Sequence, residues 1–206
     1  MEKGIFTISC ESEVTLEIKR SRFIGRSFKC AIPEEALASV ERIREMCREA
    51  THNCWAYRIG LSGEQARYHD DREPPGTAGP SILDVLKKNN LTNTLIIVTR
   101  YFGGIKLGAG GLARAYREAA KSVLEESRPK ELRRMKEIKA PVPYHLLAPF
   151  ENYLLRERYE ILAKDFRESA VIILLIPVEK ETDFRSFYLN LVSGKFVYSI
   201  LGEKYV

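Results

Sequence analysis

The chain has 206 residues, 45% of them hydrophobic and 30% charged, the balance of a globular protein able to bury a core. That length suits one large domain or two small ones. No apolar run reaches the roughly 18 residues of a membrane span, and a formal charge of +5 permits an anionic partner such as RNA without requiring one.

Met1-Glu2-Lys3-Gly4 lacks the basic and apolar regions of a secretory signal, so a cytoplasmic protein is expected. Cys10, Cys30, Cys47 and Cys54 have no CxxC spacing and read as reduced thiols. With His52, His69 and His145 the only histidines, no structural metal is expected. The basic excess lies wholly within residues 1–135, and Arg128, Lys130, Arg133 and Arg134 against Glu131 supply much of it.

Residues 5–9 and 14–18 alternate apolar and polar side chains around a polar turn, which predicts a hairpin. Residues 22–31 form a third strand. Pro33 suits a first helical position, and Ala36, Leu37, Val40, Ile43, Met46 and Cys47 recur at helical spacing, predicting a helix over 34–50. A strand at 53–60 pairs with 65–69. The prolines and glycines of 70–81 mark a long irregular loop before a short helix at 82–88. The β-branched apolar run 94–100 predicts a central strand, and 112–126 a second amphipathic helix.

Past a basic linker at 128–135 the elements are a strand at 135–142, a helix at 145–158 and strands at 159–167 and 170–178 around Glu168-Ser169. A helix at 182–191 and a strand at 196–201 follow. Leu146, Leu147, Phe150, Leu154 and Leu155 are the expected inner face of the first helix. This is βαββαβ, the ferredoxin-like order. The expected organisation is therefore α+β, with an N-terminal two-layer domain at 1–127 and a ferredoxin-like domain at 136–206.

The densest motif runs from Arg100 to Tyr116. Gly103, Gly104, Gly108, Gly110 and Gly111 can aim backbone N–H groups at a helix N-terminus, where an anion binds well. It is not a P-loop: Ala109-Gly110 stand where Lys-Ser/Thr must hold phosphate and magnesium. Residues 108–113 satisfy GxGxxA, but seven residues separate them from the strand, so no cofactor is expected. Tyr101, Phe102 and Lys106, flanked by Arg100 and Arg114, combine aromatic and basic groups in the way that suits RNA.

His52 and Cys54 share one strand face. With His69, Asp70, Asp71 and Glu73 nearby they could form a metal site or a Cys–His nucleophile; a strand histidine and a buried thiol are the simpler reading. Asp70 to Glu73 would pin the loop before Pro74-Pro75 and Gly76 through side-chain to backbone hydrogen bonds. No serine stands in a nucleophile elbow and no carboxylate pair has acid–base context, so no catalytic residue is expected. Arg20, Arg22 and Arg26 would make a basic stripe, though Ile24 and Phe28 share that face.

Four blocks, residues 19–24 (KRSRFI), 52–57 (HNCWAY), 70–79 (DDREPPGTAG) and 98–112 (VTRYFGGIKLGAGGL), resemble the YigZ/IMPACT family in content and order. Arg72 stands where the family usually has glycine, and Ser81 where proline is common. The resemblance implies an N-terminal domain similar to domain IV of elongation factor G and a C-terminal domain similar to its domain V. For two-domain bacterial members it supplies no settled activity, and the leading expectation is a non-enzymatic, translation-associated role. The expected partner is RNA or the ribosome, or a protein, as in eukaryotic IMPACT relatives, which bind a ribosome-associated activator of a starvation-responsive kinase. A nucleotide-binding enzyme using the glycine loop is the remaining alternative.

Overall fold

In the computed structural model, which describes residues 4–166 and 169–206, the apolar run near residue 97 becomes the middle strand of a five-stranded antiparallel sheet. The chain separates into two units, residues 1–132 and 133–206, and each has its own core. Both mix helices with antiparallel sheet, an α+β architecture.

The first unit runs β1 (Phe6–Ile8), β2 (Ser12–Ile18), β3 (Ser21–Lys29), α1 (Pro33–Met46), β4 (His52–Ile59), β5 (Gln65–His69), α2 (Gly79–Lys88), β6 (Thr94–Tyr101), α3 (Gly108–Glu126) and β7 (Pro129–Glu131). Its main sheet has the order β2-β3-β6-β4-β5. Side chains alternate along a strand, so the central strands present two apolar faces. Phe23, Cys54, Ala56, Ile96 and Val98 pack with α2 and α3. Phe28, Trp55, Tyr57, Leu95 and Ile97 pack with α1. A strand covered on both faces must be apolar throughout, which is why β6 reads as a continuous run.

The hairpin expected from residues 5–18 does not form. β1 pairs with β7, Phe6 opposite Glu131, while β2 pairs with β3. Alternation marks a half-buried strand but does not name its partner. The stretch expected to be a linker, 128–135, thus supplies β7 and the start of the next strand. α2 also starts earlier than expected, because Pro80 sits in its first turn rather than in the loop. α3 begins at Gly108, so Gly110 and Gly111 belong to the helix.

The second unit runs β8 (Arg134–Val142), a 3-10 turn (Tyr144–Leu146), α4 (Leu147–Glu157), β9 (Glu160–Phe166), β10 (Ala170–Pro177), a 3-10 turn (Val178–Lys180), α5 (Glu181–Leu191) and β11 (Ser199–Tyr205). The antiparallel sheet order β11-β8-β10-β9 is that of a ferredoxin-like βαββαβ unit. Phe150, Tyr153, Leu154, Phe184 and Tyr188 fill the helix side of the sheet. Leu155, expected inward, is 79% exposed because Tyr153 and Leu154 already complete that face. Arg167 and Glu168, the expected end of one strand and start of a turn, lie outside the described residues. Among the described residues no helix is long and apolar enough to cross a membrane.

Candidate functional site

The 70–78 loop joins β5 to α2, and its three carboxylates have three different tasks. Asp70 pins the loop: Oδ2 accepts the Gly76 N–H at 2.9 Å, and Oδ1 accepts those of Ala78 and Gly79 at 2.9 and 2.8 Å. It thereby caps α2, whose own N-cap residue, Ala78, has no side chain to do so. Asp71 Oδ2 accepts the Asn53 N–H at 2.6 Å, tying the loop to β4. Arg72 holds a left-handed φ of 68°, a conformation that favours the glycine usual in the resembled family.

Glu73 turns inward. Its side chain is only 2% exposed, and Oε1 accepts from Arg100 Nη1 at 2.7 Å and from the Tyr116 hydroxyl at 2.7 Å. Strand register explains the meeting: His52 on β4 lies opposite Arg100 on β6, which lies opposite Phe23 on β3. All three side chains therefore emerge on the α3 side of the sheet, where Tyr116 packs edge-on against Phe23 at 5.3 Å. The Arg100 guanidinium lies over the rings of Phe23 and Phe102, 5.5 and 5.4 Å from their centroids.

His52 Nδ1 lies 2.8 Å from the Asp71 carbonyl oxygen. A carbonyl only accepts, so Nδ1 carries the proton and Nε2 is the atom facing Glu73 Oε1, at 3.7 Å. Cys54 donates its S–H to the Asp70 carbonyl at 2.9 Å, and burial pushes the thiol well above its ordinary pKa. Burial therefore disfavours a thiolate at Cys54. Burial likewise drives the Tyr116 hydroxyl far upward, leaving it a neutral donor to Glu73.

Two polar atoms of this network remain unmatched. Glu73 makes its hydrogen bonds through Oε1, and Oε2 has no partner among the described residues. Arg100 Nε is buried with no acceptor among the described residues. Both residues line a cavity of about 380 Å³. Thr51, His52, Glu73 and Arg100 are polar groups of its lining, while Pro74, Phe102, Leu107 and Leu112 give it apolar walls. Lys106, Gly108 and Ala109 complete it from the exposed side, where α3 begins with no side-chain cap and no carboxylate in its first turn. The backbone N–H groups of that turn have no intrahelical acceptor.

The residues expected to contact RNA do not form one set. Arg22 stacks over Tyr101 at 4.4 Å, one step along β6 from Arg100 and so on the opposite sheet face. The Arg20–Arg22–Arg26 stripe is absent. Arg20 lies in the β2–β3 turn, while Arg26 is buried, bonded to Glu13 at 2.6 Å and to Thr99 at 3.1 Å. Lys19, Arg20, Lys106 and Arg114 are exposed and make no ion pair with a described residue. Gly103 is indispensable to this arrangement, since a Cβ there would overlap the Arg20 carbonyl. Gly76, Gly104 and Gly108 hold φ of 82°, 83° and 71°. Gly110 and Gly111 are helical, and around Gly110 a Cβ would meet only Arg114 Nη1, at 3.7 Å.

His69 stacks on Trp55 and accepts the Asp71 N–H at 3.0 Å. Among the described residues no three His, Cys, Asp or Glu side chains could hold a metal together. Tyr116, Leu112 and Thr51 were not foreseen as site residues. The only sequence signal was the i, i+4 placement of Leu112 and Tyr116 on the inner face of α3.

The family model described as the Impact N-terminal domain matches residues 19–124, which contain every residue of this cavity. The chain is 37% identical over 196 residues to the IMPACT family member YvyE of Bacillus subtilis, covering 95% of this chain and 90% of that one. It is 32% identical over 173 residues to YigZ of Escherichia coli, covering 83% and 85%. A crystal structure described as that of a hypothetical protein superposes with a TM-score of 0.62 at 28% identity, over 98% of this chain and 99% of the other. The chain belongs to the IMPACT family.

Proposed function

We propose that the protein is a non-catalytic, translation-associated binding protein whose first unit contacts RNA, free or in the ribosome, through the end of the sheet where β2 meets β3 and β6 meets α3. The observation that carries this reading is an asymmetry of charge. The carboxylates of the 70–78 loop are engaged inward, by backbone N–H groups and by Arg100, while Lys19, Arg20, Lys106 and Arg114 are exposed with no counter-charge among the described residues. Lys19 and Arg20 occupy both central positions of a two-residue hairpin turn at φ of 48° and 65°. Asn-Gly is the favoured pair there, so two long cations persist against a conformational cost. Exposed Phe102 adds a stacking face beside them.

Binding dominated by phosphate contacts weakens steeply with salt, by a slope of about −0.7 per neutralised phosphate for single strands. Filter binding of ribosomal RNA across a salt series should show such a slope, and Arg20→Ala, Lys106→Ala and Arg114→Ala should each reduce it by about 0.7. No binding at low salt would sink the proposal. A second reading, a protein adaptor as in eukaryotic relatives, draws on Phe102 and Ile105, 47% and 40% exposed in the same loop. Partner capture that survives nuclease treatment supports the adaptor; capture lost with the RNA supports RNA contact.

A further inference from the structure

The cavity beneath the β6–α3 loop does something that a row of exposed cations does not. We infer that it is a mononucleotide subsite, in which one unstacked base enters between Phe102 and the α3 wall and its phosphate rests at the mouth, on Lys106 and the first turn of α3. This rests on the RNA reading above and gives it a specific contact.

Electrostatics divides the site in two. Inside, the negative charge of Glu73 is matched by Arg100 at 2.7 Å, so the interior suits a neutral group, since a second unpaired charge is costly to bury. A neutral group must still suit Glu73 Oε2, which accepts and has no hydrogen-bond partner among the described residues. A planar heterocycle carrying a ring or exocyclic N–H offers that partner, and apolar walls at Phe102, Leu107 and Leu112 suit its faces. At about 380 Å³ the cavity lies at the small end of the range for small-molecule sites, in keeping with one nucleoside.

At the mouth the balance is positive. Lys106 is exposed, and the first turn of α3 has neither a side-chain cap nor a carboxylate. Gly110 explains itself in the same way. It is helical and has open space around it, so nothing in the fold requires glycine. Glycine inside a helix costs about 1 kcal/mol relative to alanine. A bare backbone at that position lets a phosphate oxygen approach the N–H groups closely, as anions do at helix N-termini.

The test uses the full chain, a short single-stranded RNA, an abasic ribose–phosphate strand of the same length, and the four ribonucleoside 5′-monophosphates. Ala109→Trp fills the mouth from an exposed position outside the Glu73 network. The intact strand should bind about tenfold or more tightly than the abasic one, and Ala109→Trp should erase that difference while lowering the salt slope by no more than the one phosphate held at the mouth, about 0.7. Glu73→Gln, which keeps the shape of the side chain, should alter the ranking of the four bases. Equal binding of intact and abasic strands overturns the subsite and leaves the RNA reading standing. Thermal stabilisation of the unmodified protein, but not of Ala109→Trp, by a monophosphate with no strand binding supports the cavity, identifies a free mononucleotide as its source and overturns the RNA reading. No response to any probe overturns both.

Discussion

The two units fill their interiors with different materials. The first buries Arg26, Asn53, Glu73, Thr99 and Arg100 among its apolar side chains, whereas no charged side chain is buried among the described residues of the second. The second is built from rings: Phe184 contacts Phe150, Tyr159, Tyr188 and Tyr198. Each such pair adds about 0.5–1.5 kcal/mol beyond its buried area. A buried ion pair has no comparable advantage, since desolvation offsets most of the attraction and apolar replacements are often neutral or stabilising. Stability alone therefore does not explain the burial of Glu73 and Arg100, both of which line the cavity.

The largest effects test that contrast directly. Glu73→Ala strands the Arg100 charge and should cost about 3–5 kcal/mol. Trp55, the single tryptophan, lies in the first unit and reports this by fluorescence in urea. Replacing both partners, Glu73→Leu with Arg100→Met, should recover most of the loss. If the double variant remains as unstable as Glu73→Ala, the pair is structural and the contrast fails. Phe184→Ala should cost a similar 3–5 kcal/mol in the second unit, read as a urea transition in near-ultraviolet circular dichroism that Trp55 fluorescence does not follow, with no double replacement able to restore it.

Next come two glycines of the same loop–helix segment, whose alanine variants should move stability in opposite directions. Gly104 has φ of 83° and open space around it, so alanine there costs only backbone strain, about 1–2 kcal/mol. Gly110 is helical and uncrowded, so alanine should stabilise the protein by up to about 1 kcal/mol. Binding should weaken in Gly110→Ala despite that gain. A variant both more stable and equally tight in binding would remove the functional explanation of this glycine.

Much of the fold was legible because its signals are local. β6 read as a buried strand from an unbroken apolar run, and the βαββαβ order of the second unit followed from alternating periodicities. Pairing was not legible: β1 carries the same alternation whether its neighbour is β2 or β7, and only the fold decides. The site was half legible for the same reason. Arg100, Tyr101 and Phe102 are adjacent in sequence, and the strand period sends Arg100 into the interior and Tyr101 to the opposite face. Glu73 looked like one more loop acid beside Asp70 and Asp71. Its separate role depends on Tyr116 and Arg100, both distant in sequence.

The smallest effect expected is a difference in alkaline tolerance. Burial pushes the Cys30 thiol of the first unit from 9.0 up to about 12, and the Tyr188 hydroxyl of the second from 10.0 up to about 12. Both groups are neutral when protonated, and the fold disfavours their ionised forms. As pH rises the unfolded chain loses its proton first and binds fewer than the native state, so stability falls with pH. For Cys30 the loss begins near pH 9 and for Tyr188 near pH 10, each continuing to about 12. Cys54 and Tyr116, raised by the same cause, act in the same direction in the first unit, as Tyr153, Tyr159 and Tyr198 do in the second, so the thiols set the earlier onset. In reductant, Trp55 fluorescence should therefore begin to report loss of structure at lower pH than the last phase of the far-ultraviolet circular dichroism transition, which belongs to the second unit. Cys30→Ala should delay the Trp55 transition, because that thiol then no longer ionises on unfolding. If the second unit gives way first, ionisable groups are not what separates the two interiors under alkaline stress.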